Sequence, residues 1–328
     1  MKKLSKLTLV LFIMVMAFSL VFTGCAPKPT APAAGTTTPQ AEPAKPLQIV
    51  LITMDSMDEH WLSVKDGAMK KAQELGNVEV IFRAPAGKSD PAEQTRMVED
   101  AINQKVDAIL LAASDAAALA PVVDKAYEAK IPLIFVDSAA NTENYVSFAA
   151  TDNAAAAALA ADKMAELISG KGKIAIINAQ AGAGTTMIRE NGFKDRMKEK
   201  YPDVTIVTTL YCNGDKAVAL NQTMDLLTAN PDLVGIYACN EGATVGVARG
   251  LKEKGVAGKV QLVGFDKSKD IISGLEEGLI QATMVQNPFL MGSTGVDFAV
   301  KTIKGEKVEK KVDTGVKVVT KDNISEIK

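Results

Sequence analysis

The sequence predicts an α/β protein made of two doubly wound parallel-sheet domains, and two patterns in the chain carry that prediction. Short runs rich in β-branched residues alternate with longer segments of helical periodicity, which is typical of parallel strands joined by crossover helices. Two such series follow one another, and the body from Leu47 to Lys328 is long enough for two domains of ordinary size. The expected fold is therefore a pair of α/β halves whose strand ends face a shared cleft.

The first series of elements has recognisable helix boundaries. Asp90 stands before Pro91 as a typical helix N-cap, and Gly76 falls where the preceding helix should end. The predicted strands lie near Gln48–Thr53, Glu79–Arg83, Ala108–Leu111 and Leu133–Val136. The predicted helices lie around residues 60–76, 91–104 and 116–130.

The second series begins after Thr151 and repeats the same alternation. Asp152 is a predicted N-cap, and Gly170 and Gly255 fall at predicted helix ends. The predicted strands lie near Lys173–Asn178, Thr205–Thr209, Gly235–Ala238 and Gln261–Phe265. The predicted helices lie near residues 153–169, 186–200, 215–229 and 242–254.

The N-terminus has the features of a secreted lipoprotein. Lysines precede an apolar stretch that is shorter than the roughly 20 residues needed to cross a bilayer, and Gly24-Cys25 follows in a pattern that resembles a bacterial lipobox. We predict a signal peptide over residues 1–24 and a lipidated Cys25, the alternative being a free cysteine after an ordinary signal. Residues 25–46 lack apolar periodicity and predict a flexible tether. The body is thus expected outside the cytoplasm, anchored to the outer face of the cell membrane.

The composition excludes several classes of function. A net charge of -2 leaves no basic surface for nucleic acid. The chain has one histidine, His60, and no Cys/His cluster, so neither a metal site nor a cofactor is expected. Cys212 and Cys239 are expected to be two buried small side chains, although a disulfide between them stays open.

Polar side chains follow several predicted strands and should therefore meet at the cleft. Carboxylates and amides can each grip neighbouring hydroxyls of a sugar, and a guanidinium offers a fixed fork of donors. Each such Asp or Asn could instead simply cap the next helix. The candidate acceptors are Asp58, Asp137, Asn240, Asp266 and Gln286, and the candidate donor is Arg189.

His60 and Trp61 follow the first strand and have two interpretations. The apolar face of a sugar packs well on an aromatic plane, which favours Trp61 as a ligand contact. Trp61 could equally begin the core face of its helix, with Val64 and Ala68 behind it at helical spacing. Motifs of an enzyme are missing from the sequence, because it has no G-x-S-x-G elbow and Gly182–Thr186 lacks the lysine of a phosphate-binding loop. We predict that the protein is not an enzyme.

The body from Ile49 to about Asn323 resembles the type I periplasmic binding proteins, in particular the ribose-binding group and its lipoprotein relatives. The matching segments occur in the family's order. They are Leu62–Ala68, Ala150–Asn153, Arg189–Phe193, Leu226–Asp232, Val263–Asp266 and Lys304–Lys307.

The resemblance implies ligand contacts and a hinge. The implied contacts are Asp58, His60, Trp61, Asp137, Arg189, Asn240, Asp266 and Gln286. His60 and Trp61 occupy positions of two stacking aromatic residues in ribose binders. Departures at Asp58, Ser138, Ala112 and Gly214 should change which sugar is bound, because an unpaired buried hydroxyl costs on the order of 1–3 kcal/mol.

The resemblance further implies three chain crossings, near Thr151, Asn287 and Gly315, and a helix from Pro288 to Lys304 that returns to the first domain. The expected N-terminal domain comprises residues 47–151 and 287–315, and the C-terminal domain comprises residues 152–286 and 316–328. The expected function is that of the solute-binding component of an ABC importer, a monomer that captures a monosaccharide or small polyol and delivers it to a membrane permease.

Other functions stay open at this stage. The same clamp could bind a nucleoside or a furanosyl signal molecule, or serve a chemoreceptor or sensor kinase. A transcriptional repressor of this fold would need a DNA-binding N-terminus, where this chain has a signal peptide pattern. A secreted enzyme would need a paired acid and base, and hydroxyl binding explains the acids of the cleft better.

Overall fold

The computed structural model describes residues 45–87 and 90–327, which form two six-stranded sheets with helices packed against them. The predicted signal peptide, the lipidated Cys25 and nearly all of the predicted tether lie outside these described residues. Within the part of the chain that is described, no helix combines the length and apolar character needed to cross a membrane.

Strands and helices alternate along the body as the sequence predicted. The strands are β1 (Leu47–Ile52), β2 (Val78–Arg83), β3 (Ala108–Leu111), β4 (Leu133–Val136), β5 (Ser147–Ala150), β6 (Gly172–Asn178), β7 (Val204–Tyr211), β8 (Leu233–Ala238), β9 (Gln261–Phe265), β10 (Ala282–Gln286), β11 (Lys311–Asp313) and β12 (Val316–Val319). The helices are α1 (Glu59–Leu75), α2 (Pro91–Asn103), α3 (Ala120–Glu128), α4 (Asn153–Leu167), α5 (Gly184–Lys200), α6 (Lys216–Ala229), α7 (Glu241–Glu253), α8 (Lys269–Glu276) and α9 (Pro288–Ile303).

The two sheets have the same doubly wound order. The first sheet runs β11-β5-β4-β3-β1-β2 with every pairing parallel. The second runs β12-β10-β9-β8-β6-β7, and only its β10–β12 pairing is antiparallel. The chain passes between the sheets three times: between β5 and β6, between β10 and β11, and between β11 and β12. The predicted α/β fold class is confirmed.

Most predicted element boundaries agree with the structure, and the clearest difference is at α3. The sequence predicted a helix over residues 116–130, whereas α3 spans Ala120–Glu128. The side chain of Asp115 accepts hydrogen bonds from the backbone N–H groups of Ala117 and Ala118, which holds the preceding residues in a turn. Strands β5, β11 and β12 and helix α8 were not among the predicted elements, and β10 was implied only by a predicted strand end at Gln286.

The predicted helix boundaries follow from capping chemistry. Asp90 accepts a hydrogen bond from the N–H of Glu93, and Asp152 accepts one from the N–H of Ala155. Gly76 ends α1 in the left-handed conformation at φ 75°, where a side chain would be strained.

The packing of α1 on α9 fixes the start of α1 beside the cleft. A Cβ atom at Gly67 would overlap the carbonyl of Phe289, and one at Gly292 would overlap the carbonyl of Val64. The two glycines therefore let the helices approach more closely than larger residues would. The first turn of α1, which carries His60 and Trp61, is held in place by this contact.

Candidate functional site

The carboxyl ends of strands from both sheets face one cavity. Parallel strands end on the same edge of a sheet, which is where ligands bind in doubly wound folds. All the predicted site residues line this cavity: Asp58, His60, Trp61, Asp137, Arg189, Asn240, Asp266 and Gln286. The structure thus brings together residues that are up to 228 positions apart, taking Gln286 and Asp58 by number.

Two buried aspartates occupy matching positions at the ends of β4 and β9. Asp137 has φ 65° and Asp266 has φ 74°, in the left-handed region that residues with a side chain seldom adopt. The N–H of Asp137 donates to the carbonyl of Ala149, and the N–H of Asp266 donates to that of Met284. Each aspartate thus turns off its strand while its backbone stays bonded to the neighbouring strand, and such backbone strain is common at functional sites.

His60 lies between these two aspartates. Its Nε2 is 2.9 Å from Oδ2 of Asp137, and its Nδ1 is 3.5 Å from Oδ1 of Asp266. Burial opposes the positive charge of the ring, but the charges and hydrogen bonds of the two carboxylates outweigh it and raise the pKa of His60 from 6.5 to about 10. The raised pKa favours the imidazolium at neutral pH, and the ring lies between the edges of the two sheets.

Asp266 is the centre of the network on the second sheet. Its Oδ1 accepts a hydrogen bond of 2.6 Å from Nε2 of Gln286, and its Oδ2 accepts one of 2.9 Å from the backbone N–H of Glu241. Burial disfavours the carboxylate, yet the His60 charge and hydrogen bond, the Arg189 charge and the Gln286 hydrogen bond lower the pKa of Asp266 from 3.8 to about 2. Asp266 is thus ionised throughout the physiological range.

Arg189 reaches the cavity from α5 and is held on three sides. Its Nε donates to Oδ1 of Asn153 at 2.7 Å, and its Nη1 donates to the carbonyl of Cys239 at 2.9 Å. The guanidinium carbon lies 4.0 Å from the ring centroid of Phe265. These contacts leave Nη2 buried without a hydrogen-bond partner among the described residues. The planar fork is thus fixed by the protein, and the Nη2 group remains available as a donor.

Two other buried side-chain atoms at the cavity also have no hydrogen-bond partner within residues 45–87 and 90–327. They are Oε1 of Gln286 and Oε1 of Gln180, both of which are acceptors on residues that line the cavity. A hydroxyl both donates and accepts, so a polyol could satisfy the Arg189 donor and the glutamine acceptors together. Leaving such groups unpaired costs about 1–3 kcal/mol each, so the arrangement favours a hydroxylated ligand.

The residues that line the cavity follow strands of both sheets. The fold and this cavity match a known family. The sequence profile of the periplasmic binding protein domain matches residues 49–307. The chain belongs to this family.

Relatives of this periplasmic binding protein bind sugars, according to their names. The ribose import binding protein of Salmonella typhimurium is 32% identical over 273 residues, which cover 83% of this chain and 90% of the relative. A solute-binding protein of an Agrobacterium vitis ABC transporter, solved with bound D-fucose, is 42% identical at a TM-score of 0.83 and covers 85% of this chain and 97% of its own. A carbohydrate transporter solute-binding protein from Agrobacterium radiobacter, solved with D-arabinose, is 35% identical at a TM-score of 0.84, with 86% and 97% covered. The resemblance to the type I family and its ribose-binding group is confirmed.

Asn240 and Asp58 each stand at the start of a helix and also line the cavity. The side chain of Asn240 accepts a hydrogen bond of 3.1 Å from the N–H of Ala243, so its oxygen caps α7. Asn240 also lines the cavity, where its amide nitrogen remains as a donor. Asp58 is the N-cap residue of α1 but makes no side-chain capping bond, and it too lines the cavity. Helix capping thus does not remove these residues from the binding surface.

Trp61 is a core residue that also lines the cavity. It is buried in the apolar cluster that contains Val64 and Ala68, and it lines the cavity in this periplasmic binding protein. Its ring meets that of His60 edge to face, with centroids 4.7 Å apart. Cys212 and Cys239 are buried and free, and burial raises the pKa of the Cys212 thiol to about 11. The preferred interpretation of the cysteines as buried small side chains is confirmed.

Glu241 is a cavity residue that was not among the predicted contacts. Its Oε2 accepts a bond of 3.3 Å from the backbone N–H of His60, and its Oε1 lies 3.1 Å from Nζ of Lys216. Burial first, and then the charge of Asp58, raise the pKa of Glu241 from 4.5 to about 7, although Lys216 partly offsets them. Its place directly after Asn240 at the end of β8 was the available signal.

Proposed function

We propose that this chain is the solute-binding component of an ABC importer and captures a monosaccharide or small polyol between its two halves. The observation that carries the proposal is the ring of buried, fixed donors and acceptors around one cavity, with Arg189 Nη2 and Gln286 Oε1 left to bind hydroxyl groups. The names of the relatives, which include ribose, xylitol and allose binding proteins, agree with a ligand of this class. The proposed activity is binding without chemical conversion, and the partner is a membrane permease.

The sheet memberships support a division of the body into two lobes. The N-terminal lobe would comprise residues 47–151 and 287–315, since β1 to β5, α9 and β11 pack together, and the C-terminal lobe would comprise residues 152–286 and 316–328. Three crossing segments would form the hinge. Contacts such as the 3.0 Å bond from the N–H of Ala116 to the carbonyl of Gly182 join the lobes. A ligand that touches both lobes favours the closed form by its additional contacts there.

A ligand screen tests the proposed function. Thermal unfolding of the untagged body would be followed with D-ribose, D-arabinose, D-fucose, D-allose, xylitol and a set of nucleosides. A sugar or polyol at 100 times its Kd should add about 2.7 kcal/mol to the free energy of unfolding. Stabilisation by a nucleoside and by none of the sugars would replace the proposal with the nucleoside alternative. Lys198→Ala, at an exposed position of α5, provides a matched control that should respond as the native chain does.

We further propose that Cys25 carries the lipid that attaches the protein to the outer face of the cell membrane. In the full chain, Cys25→Ala should move the protein from the membrane fraction to the soluble fraction, because the sulfur that would bear the lipid is gone. Fractionation of cells followed by immunoblotting measures this. Cys212→Ala is the control and should stay with the membrane, and membrane attachment of the Cys25 variant would refute the anchor.

A further inference from the structure

The imidazole of His60 joins groups that belong to different lobes. Asp137, its partner at 2.9 Å, follows β4 of the N-terminal lobe, and Asp266, its partner at 3.5 Å, follows β9 of the C-terminal lobe. A neutral imidazole has one N–H, so it could serve one carboxylate and would turn a lone pair toward the other. The protonated ring has two donors and matches both. The geometry therefore favours the imidazolium when the two lobes are together.

Neighbouring backbone contacts strengthen this junction. The N–H of His60 donates to Oε2 of Glu241, which lies at the start of α7 in the C-terminal lobe. The adjacent Glu59 accepts a bond of 3.2 Å from the N–H of Lys269 at the start of α8. The first turn of α1 thus contacts the opposite lobe at three points. All three contacts can form only when the lobes are together.

The charged groups around His60 divide between the lobes. Asp137, after β4, and Asp58, which precedes α1, stay with His60 when the lobes separate. Asp266, Glu241 and Arg189 belong to the C-terminal lobe and move away. His60 then keeps one paired carboxylate in place of two. Opening should therefore lower its proton affinity, and closing should raise it.

We propose that His60 is a positioning residue that closes the clamp as a protonated bridge, so that binding of the sugar takes up a proton at alkaline pH. The bridge also fixes the spacing of Asp137 and Asp266 and, through Asp266, the side chain of Gln286. This inference rests on the proposed function, since it concerns the closure that the sugar induces. It assigns His60 an electrostatic role at a position where the family resemblance implies a stacking aromatic ring.

The sign of the pH dependence follows from linkage. The closed form has the higher pKa, so closure is favoured fully below the pKa of the open form and this contribution is lost as the pH rises through about 10. Between the two pKa values, one proton is taken up for each sugar bound. The Kd should therefore increase by up to about tenfold for each pH unit in that window.

The chain has a single histidine, which allows a direct experiment. Imidazole ¹⁵N NMR signals of an untagged, ¹⁵N-labelled body report on His60 alone. They would be recorded from pH 6 to pH 10.5, with and without the sugar that stabilises the protein most in a panel of D-ribose, D-arabinose, D-fucose and D-allose. We expect both ring nitrogens to be protonated in the sugar complex at pH 8.5, and the midpoint of the titration to rise when the sugar is added.

Calorimetry provides the second measurement. At pH 8.5, sugar binding in Tris and in phosphate should give enthalpies that differ in the sense of proton uptake, because the two buffers release protons at different enthalpic cost. His60→Phe and His60→Gln should bind more weakly and lose this buffer dependence. The matched control is Lys198→Ala, which should keep it.

These measurements separate a failure of the proposed function from a failure of the His60 bridge. If neither the sugars of the panel nor xylitol stabilises the protein, the proposed function fails and the bridge fails with it. If a sugar binds but the ring is neutral in the complex at pH 8.5, or its titration does not move on binding, the bridge is refuted and the proposed function stands. A variant that does not fold leaves the NMR result on the native chain to decide.

Discussion

The two aspartates that end β4 and β9 look equivalent in sequence, yet they stand in different networks. Asp137 has one side-chain partner, His60, within the described parts of the chain. Asp266 accepts from Gln286 and from the N–H of Glu241, and it pairs with His60 as well. Both aspartates turn off their strands in the same way. Asp266 is then held by three partners, whereas Asp137 has one and can accept further hydrogen bonds.

The largest expected effect separates these two aspartates. Asp266→Ala leaves the amide of Gln286 and the N–H of Glu241 without their partner and takes one of two carboxylates from His60. We therefore expect a loss of roughly 3–5 kcal/mol in the free energy of unfolding and at least tenfold weaker sugar binding. Asp137→Ala removes one charge-assisted bond, for which about 1.5–3 kcal/mol is expected. Urea unfolding at pH 7 and calorimetry measure both. A greater loss of stability in the Asp137 variant would invert the comparison.

Acid unfolding sharpens the same contrast. The pKa of Asp266 is lowered in the folded protein to about 2, so its contribution to stability is complete above its ordinary value of 3.8 and is lost as the pH falls through about 2. Asp266→Asn should remove that part of the pH dependence. Its residual stability between pH 4 and pH 2 should fall less steeply than that of the native chain.

Variants of Arg189 test whether the edge of the second sheet also supplies a hydrogen-bond donor to the sugar. Arg189→Ala should weaken sugar binding by at least tenfold, because the unpartnered Nη2 is lost together with the fork that carries it. Arg189→Lys keeps the charge but has no planar fork, so it should recover only part of the affinity. Calorimetry with the sugar selected by the screen measures both variants. Native affinity in Arg189→Ala would remove this residue from the binding site.

The sequence was sufficient for the fold class and for eight of the residues that line the cavity. Alternating periodicity predicted β3, β4 and β9 to the residue, because buried parallel strands are short apolar runs with distinct ends. The rule that ligands bind at strand ends then selected residues that the structure brings to one cavity.

The roles within that cavity could not be predicted in the same way. The paired position of His60 depends on the distance between Asp137 and Asp266, which no local pattern records. Glu241 was missed because a carboxylate after an N-cap residue is common at the start of helices, where it stabilises the dipole. Its burial against the backbone of His60 comes from the approach of the other sheet.

Substitution of Glu241 should have the smallest effect on stability. That effect depends on the contact of Glu241 with the backbone of His60, which joins the edges of the two sheets. Its pKa is raised to about 7 in the folded protein, so its contribution to stability is complete below its ordinary value of 4.5 and is lost as the pH rises through about 7. Glu241→Gln should therefore be more stable than the native chain at pH 8, by roughly 1 kcal/mol, and this advantage should vanish at pH 4.5.

Thermal unfolding at the two pH values measures the difference, and Lys216→Met is the informative companion. Removing the Lys216 charge leaves the Glu241 carboxylate less compensated, so that variant should lose stability at pH 8 and little at pH 4.5. A Glu241→Gln variant that is less stable at both pH values would mean that the bonds of Glu241 to His60 and Lys216 outweigh the cost of burying its charge. In that case the hydrogen bond between the N–H of His60 and Glu241 would stabilise the fold at both pH values.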